Sequence, residues 1–209
     1  MEQSVAGPRP FHSPRTGRLT RPAMLPILSR MSDTIGMTRE TLAKRIADVA
    51  LLRGEFTLRS GRKSNHYLDK YLFETQPDIL RELARLYARR IPANVDRLAG
   101  PELGAIALAA ATAMEAGKPF VIVRNQKKGY GSGKLIEGTL KPGESVAIIE
   151  DILTTGGQIV EAAKTLEAAG ATVVKMLGAI DRLEGARENI EAAGYSYESL
   201  FTTKDLGIA

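Results

Sequence analysis

The chain has 209 residues with 44% apolar and 25% charged side chains, the make-up of a globular domain large enough for its own core. It has no cysteine and only two histidines, His12 and His66, which excludes disulfides, thiolate chemistry and histidine-built metal centres. The formal charge of +5 sits in the first 30 residues, where five arginines face Glu2 alone; the remaining 24 basic and 23 acidic residues give no sign of a nucleic-acid-binding face.

Residues 1–36 read as a disordered basic extension: five of the ten prolines fall in its first 30 positions, and no periodicity is present. An organelle transit peptide is the alternative reading of the same arginine and serine content. The apolar stretch Met24–Leu28 is too short for a secretory signal and is broken by Pro26. No run approaches the ~18 apolar residues of a membrane span. A cytoplasmic protein with no membrane or nucleic-acid partner is therefore expected, its folded domain at 37–209.

The folded part opens with a helix over 38–52, capped by Thr38 and carrying Leu42, Ile46, Val49 and Leu52 at helical spacing. Glu55–Leu58 reads as a strand, Ser60-Gly61 as a turn and His66–Phe73 as a second extended piece. Pro77-Asp78 opens a helix with the stripe Ile79, Leu80, Leu83, Leu86 and Tyr87. From Leu98 strands and helices alternate. Gly100-Pro101 precedes an alanine-rich helix over about 103–116, and Phe120–Val123 has the continuous apolar run of a buried parallel strand. Residues 124–144 are polar and hold five glycines, a loop long enough to be read as a functional lid. Val146–Ile149, helix 157–169, Thr172–Ile180, helix Ala186–Ala193 and Tyr195–Leu200 complete the series. This order predicts an α/β fold with a central parallel sheet covered on both faces.

The chemistry concentrates between Val146 and Gln158. An apolar strand runs into Glu150-Asp151, then Ile152-Leu153, and the hydroxyl–glycine turn Thr154-Thr155-Gly156-Gly157 opens a helix at Gln158. Ligands of parallel sheets bind at the carboxyl ends of strands. Two glycines allow close backbone approach to an anion, the threonines add donors, and the helix start adds free N–H groups and a favourable dipole. The turn is a phosphate cradle. Two carboxylates beside a phosphate need another role, and sugar hydroxyls or a bridging Mg²⁺ supply one. The absence of Gly-Lys-Ser/Thr speaks against nucleotide triphosphate hydrolysis.

Glu150–Gln158 resembles the signature of type I phosphoribosyltransferases for phosphoribosyl diphosphate (PRPP). Phe56–Ser64, Asp181-Arg182 and Thr203–Leu206 are similar to segments of the orotate branch of that family, and the likeness extends over about 38–208. It implies the type I phosphoribosyltransferase fold, with a small N-terminal hood and a mobile loop. It also implies transfer of the 5-phosphoribosyl group from PRPP to orotate, forming orotidine 5'-phosphate and diphosphate in pyrimidine synthesis. By the same resemblance, Glu150 and Asp151 contact the ribose hydroxyls, Thr154, Thr155, Gly156, Gly157 and Gln158 take the 5-phosphate, and Ile152 and Leu153 belong to the same PRPP-binding stretch. Arg124, Lys127, Lys128 and Tyr130 face the diphosphate from the loop. Arg59, Thr154 and Arg182 hold orotate, with Arg182 forking onto its carboxylate. Lys128, Asp151 and Glu150 form the catalytic set. Mg²⁺ is expected on the diphosphate, with no protein side chain assigned to it, and the family pattern is a homodimer whose loops cross between subunits.

Some positions depart from the enterobacterial-like pattern. Gly104 stands where that pattern has a lysine directed at the diphosphate, Asn125 where a lysine is common, Tyr130 where a histidine is usual, and Arg59 replaces a lysine. These changes motivate one alternative, a PRPP-sensing regulator of the same fold with little catalysis. A phosphoribosyltransferase for a different base is another.

Overall fold

The computed structural model describes residues 36–57, 61, 63–126 and 134–208. Helix α1, Arg39–Ala50, starts where predicted, with Thr38 Oγ1 accepting from the Thr41 N–H at 3.2 Å. It ends two residues earlier than the apolar spacing implied. Leu51 and Leu52 instead begin strand β1, Leu51–Thr57, which pairs antiparallel with β2, Lys63–Leu68. The extended reading of His66–Phe73 is corrected in its second half: Asp69 caps a short helix α2, Lys70–Glu74, by accepting from the Tyr71 N–H at 3.0 Å. A cap overrides the β propensity of Tyr71 and Phe73 because it supplies the donors at the helix start with a partner. Helix α3, Pro77–Ala88, has proline in its first turn, as helices tolerate, and buries Ile79, Leu83 and Tyr87 four residues apart.

Next come β3, Arg97–Pro101; α4, Ala105–Ala116; and β4, Phe120–Val123, the last as predicted. The segment 124–144 is not wholly loop, because β5, Ile136–Glu137, returns antiparallel to β4. Strand β6, Ser145–Leu153, runs four residues beyond the predicted end, through both acids. Helix α5, Gly157–Ala168; β7, Thr172–Asp181; α6, Ala186–Ala192; and β8, Tyr197–Thr202, follow, then a 3-10 turn at Lys204–Leu206. Arg39 of α1 pairs with Asp205 in that turn at 2.9 Å, tying the amino end of the folded part to its carboxyl end.

The main sheet has the order β5-β4-β3-β6-β7-β8, parallel except at β5. Along β6, Val146 and Ile148 pack with Ile159, Ala163 and Leu166 of α5, while Ile149 joins the core under α1, α3 and α4. Such alternation is what covering both faces requires. Arg97 at the start of β3 forks onto Glu144 before β6, with Nε and Nη2 each 2.8 Å from a carboxylate oxygen. Strand order reverses between β3 and β6: the chain moves outward from β3 to β4, and in the other direction from β6 to β8. At such a switch point the loops leave the sheet on opposite sides and open a crevice beyond the strand ends. No helix among the described residues is long and apolar enough to cross a membrane.

Candidate active site

The carboxyl end of β6 lies at that crevice. Glu150 and Asp151 stay within the strand and are buried. The Tyr87 hydroxyl donates to the Glu150 carbonyl at 2.8 Å, and the Asp151 N–H donates to Glu150 Oε1 at 3.1 Å. Glu150 Oε2 has no hydrogen-bond partner among the described residues. Burial, then the neighbouring Asp151 charge, raises the Glu150 carboxyl well above the usual carboxylate range. Asp151 is held at both oxygens: Oδ1 accepts from the Ile152 N–H, and Oδ2 from Lys70 Nζ at 2.6 Å.

Lys70 comes from α2, in the N-terminal hood made by α1, β1, β2 and α2. Burial pulls its pKa down, but the Asp151 carboxylate opposite more than compensates, and the net direction is up. Glu74, one turn further along α2, is also buried, with Oε1 unpartnered among the described residues. Burial and then the Asp151 charge push its pKa up to about 8, so it holds its proton at neutral pH.

Beyond the acids the chain turns outward. Thr154 and Thr155 are exposed, and Gly156 takes the left-handed conformation, φ 76°, that lets the turn enter α5 without a Cβ clash. No side chain caps α5, so its leading N–H groups remain available to an anion. A cavity of about 230 Å³ is lined by Lys70 and by residues 150–159. A roomier cavity of about 580 Å³ lies between the β5 edge and α5, but its Leu135, Leu140 and Ala168 lining offers no strand-end turn for phosphate.

Two further elements reach the same end of the sheet. After β3, Glu102 gathers neighbours: its carboxylate accepts from the Asn125 N–H at 2.9 Å and pairs with Arg124 Nη1 at 3.3 Å. Its carbonyl accepts from Gln158 Nε2 at 3.2 Å. After β7, the Arg182 N–H donates to the Leu153 carbonyl at 2.9 Å, setting Arg182 beside Thr154. The Arg182 guanidinium pairs with Glu184 at 3.2 Å.

The structure thus brings together Glu150, Asp151, Ile152, Leu153, Thr154, Thr155, Gly156, Gly157, Gln158, Arg124 and Arg182 at one end of the sheet. Arg59, Lys127, Lys128 and Tyr130 lie outside the described residues. Sequence reasoning missed Lys70, Glu74 and Glu102. Lys70 sits on a helix read as a strand, Glu74 one residue past that reading, and Glu102 meets partners 22 to 56 positions away.

The switch-point crevice, acid-ended strand and uncapped glycine turn define the class, a phosphoribosyltransferase of the type I kind. The model of the phosphoribosyl transferase domain matches residues 73–196. The orotate phosphoribosyltransferase of Pyrococcus abyssi is 43% identical over 172 residues, covering 80% of this chain and 94% of that protein. That of Halobacterium salinarum is 49% identical over 164 residues, covering 78% and 93%. The solved orotate phosphoribosyltransferase of Mycobacterium tuberculosis H37Rv, in its complex with PRPP, has a TM-score of 0.70 at 31% identity, covering 81% of this chain and 98% of that one. This chain belongs to the phosphoribosyl transferase domain family and, within it, to the orotate phosphoribosyltransferases. The relatives lend the regulatory alternative no support.

Proposed function

We infer that the crevice carries out phosphoribosyl transfer from PRPP to orotate, releasing diphosphate and forming orotidine 5'-phosphate. One observation carries the assignment of roles: an acid pair, an uncapped glycine turn and Arg182 converge on the carboxyl ends of β6 and β7. Phosphate belongs on the turn of residues 154–158, where free N–H groups and the helix dipole favour an anion. The ribose hydroxyls donate to Glu150 and Asp151. Orotate lies between Thr154 and Arg182, whose fork exchanges Glu184 for the substrate carboxylate. Arg59 joins it there.

In the reaction, the bond from orotate nitrogen to the anomeric carbon forms as the bond from that carbon to the diphosphate oxygen breaks. Orotate attacks as an anion, so no covalent enzyme intermediate or strong base is needed. Negative charge grows on the departing diphosphate, and Arg124 with Lys127, Lys128 and Tyr130 of the loop is suited to meet it. The residues present fit Mg²⁺ carried on substrate oxygens: hard oxygen donors line the cavity, and no trio of acids or histidines among the described residues forms a cage. Bound with the diphosphate, Mg²⁺ would neutralise charge on the leaving group. Closure of the loop would exclude water, which attacks the same carbon. Residues 37–209 serve as the catalytic domain and 1–36 as an extension. Pairing of two chains with shared loops follows the family pattern.

The test is the loss of orotate absorbance when the purified chain meets PRPP, orotate and Mg²⁺, beside an Arg182→Ala variant. Turnover that depends on Mg²⁺ and collapses in the variant is expected. Tight PRPP binding without turnover would overturn the catalytic reading. Mixing subunits inactivated separately in the loop and in the acid pair should restore activity if sites are shared.

A further inference from the structure

We propose that Lys70 is the positioning residue for Asp151, and that residue 104 is glycine because this ion pair fills the space a side chain there would need. The inference rests on the assignment of Asp151 to the ribose.

Gly104 has φ −63° and ψ −42°, an ordinary helical conformation open to any L-residue. Its backbone therefore does not call for glycine. Its surroundings do: a Cβ built there would stand 1.7 Å from Asp151 Oδ2 and 2.5 Å from Lys70 Nζ. The β3–α4 corner thus packs its backbone directly against the pair. Asp151 has little freedom to yield, because its side chain is 4% exposed and its other oxygen accepts from the Ile152 N–H. A methyl group at 104 would have to push the carboxylate and the ammonium aside together, breaking the pair's geometry.

The pair joins parts of the chain 81 positions apart, so the hood sets the carboxylate that the β6 end presents to the cavity. Lys70 offers three donors and spends one on Asp151 Oδ2, leaving that carboxylate's remaining lone pairs for sugar hydroxyls. The groups around the ammonium are acidic or aromatic: Glu74 on its own helix, Glu150 beside Asp151, and the Tyr71 ring, whose centroid is 5.4 Å away. Glu74 holds its proton at neutral pH, which leaves Asp151 as the lysine's anionic partner. Lys70 also lines the cavity beside the 150–159 stretch, so removing its charge would alter the site itself.

The experiment compares Lys70→Met, Lys70→Arg, Gly104→Ala and Asp151→Asn with the unmodified chain, using PRPP, orotate and a PRPP analogue lacking the ribose 2- and 3-hydroxyls. Lys70→Met keeps the stem and loses the charge, so KM for PRPP should rise about tenfold or more, the scale of one charged hydrogen bond, with KM for orotate within about twofold. Lys70→Arg should recover most of that loss. Gly104→Ala should reproduce the selective rise without changing any charge, and neither variant should weaken binding of the hydroxyl-free analogue. If Asp151→Asn weakens PRPP but Lys70→Met and Gly104→Ala do not, the positioning role is overturned and the ribose assignment stands. If Asp151→Asn itself leaves PRPP binding intact, the ribose assignment fails first. Equal rises in both KM values, or equal losses with the analogue, would mean a general structural role and overturn the proposal.

Discussion

The ends of β6 and β7 follow the same plan and reach different ends. Each strand carries a buried aspartate at or near its carboxyl end, Asp151 two residues before the end of β6 and Asp181 at the end of β7; each turn places a left-handed glycine before a helix, and neither helix has a side-chain cap. In the β7 turn the aspartate is used up inside the fold: Asp181 Oδ1 accepts from the Leu183 N–H at 2.7 Å and Oδ2 from the Tyr197 hydroxyl at 3.0 Å. In the β6 turn Asp151 is braced by a lysine from the hood, its neighbour Glu150 keeps an unpartnered oxygen, and both border a cavity. The second turn also supports the first. Asn189 of α6 donates to the Thr155 carbonyl at 2.9 Å, and a Cβ on Gly156 would meet Ile190 at 2.9 Å. The motif alone does not make a site; a site arises where its carboxylates border a cavity.

The sharpest way to break that comparison is to neutralise both aspartates. Asp151→Asn should cut kcat/KM for PRPP by about 100-fold, as expected for losing two charge-assisted hydrogen bonds. Asp181→Asn should keep activity within a few-fold but cost ~1–3 kcal/mol of stability in urea denaturation, because it disturbs a buried hydrogen bond from Tyr197 and a part-buried one from the Leu183 N–H. The reverse result would exchange the roles of the two turns.

The glycines should differ by less. Gly156→Ala combines a left-handed residue with contact on Ile190 and on the Ala186 carbonyl, and should cost about 2–4 kcal/mol. Gly185→Ala, whose Cβ would meet only Asn189 at 3.8 Å, should cost about 1–2 kcal/mol from backbone strain alone. Equal midpoints in a denaturant titration would refute the buttress. Asn189→Ala, removing one hydrogen bond to Thr155, should cost about 1 kcal/mol and raise KM for PRPP less than tenfold.

The smallest effect concerns Glu74, the buried acid of α2 whose pKa the Asp151 charge helps to raise. The folded pKa of Glu74 is about 8 against an ordinary 4.5, so the folded chain binds the proton more tightly than the unfolded one. Its contribution to stability is fullest below about 4.5 and is lost as pH rises toward about 8. Glu74→Gln should therefore raise Tm by about 2–4 °C at pH 8, the shift expected from ~1 kcal/mol in a chain of this size, and by less at pH 5. A variant whose gain does not grow with pH would place the cause elsewhere.

Local pattern carried much of the fold. Phe120–Val123 has the run of a strand buried on both faces, and Thr38 and Pro77 mark helix starts through their own chemistry. The errors cluster in the hood. Val49 and Leu52 continue a helical spacing that the chain abandons after Ala50, because Leu51 and Leu52 pair across to Leu68 and Tyr67. Tyr71 and Phe73 suggest a strand until Asp69 caps a helix through them. Ile136-Glu137 is too short to stand out from a polar loop and is a strand only because β4 offers it an edge.

The amino-acid sequence by itself determined the α/β order, the phosphate turn after an acid-ended strand and the kinship that names its substrates, since these depend on residues within a few positions of one another. Tertiary structure decided that β3 and β6 are neighbours across a switch point, that Asp151 borders a cavity while Asp181 binds the Tyr197 hydroxyl, and that Lys70 reaches Asp151 past a glycine. Those outcomes depend on which distant groups meet, and burial gives each such meeting its energetic weight.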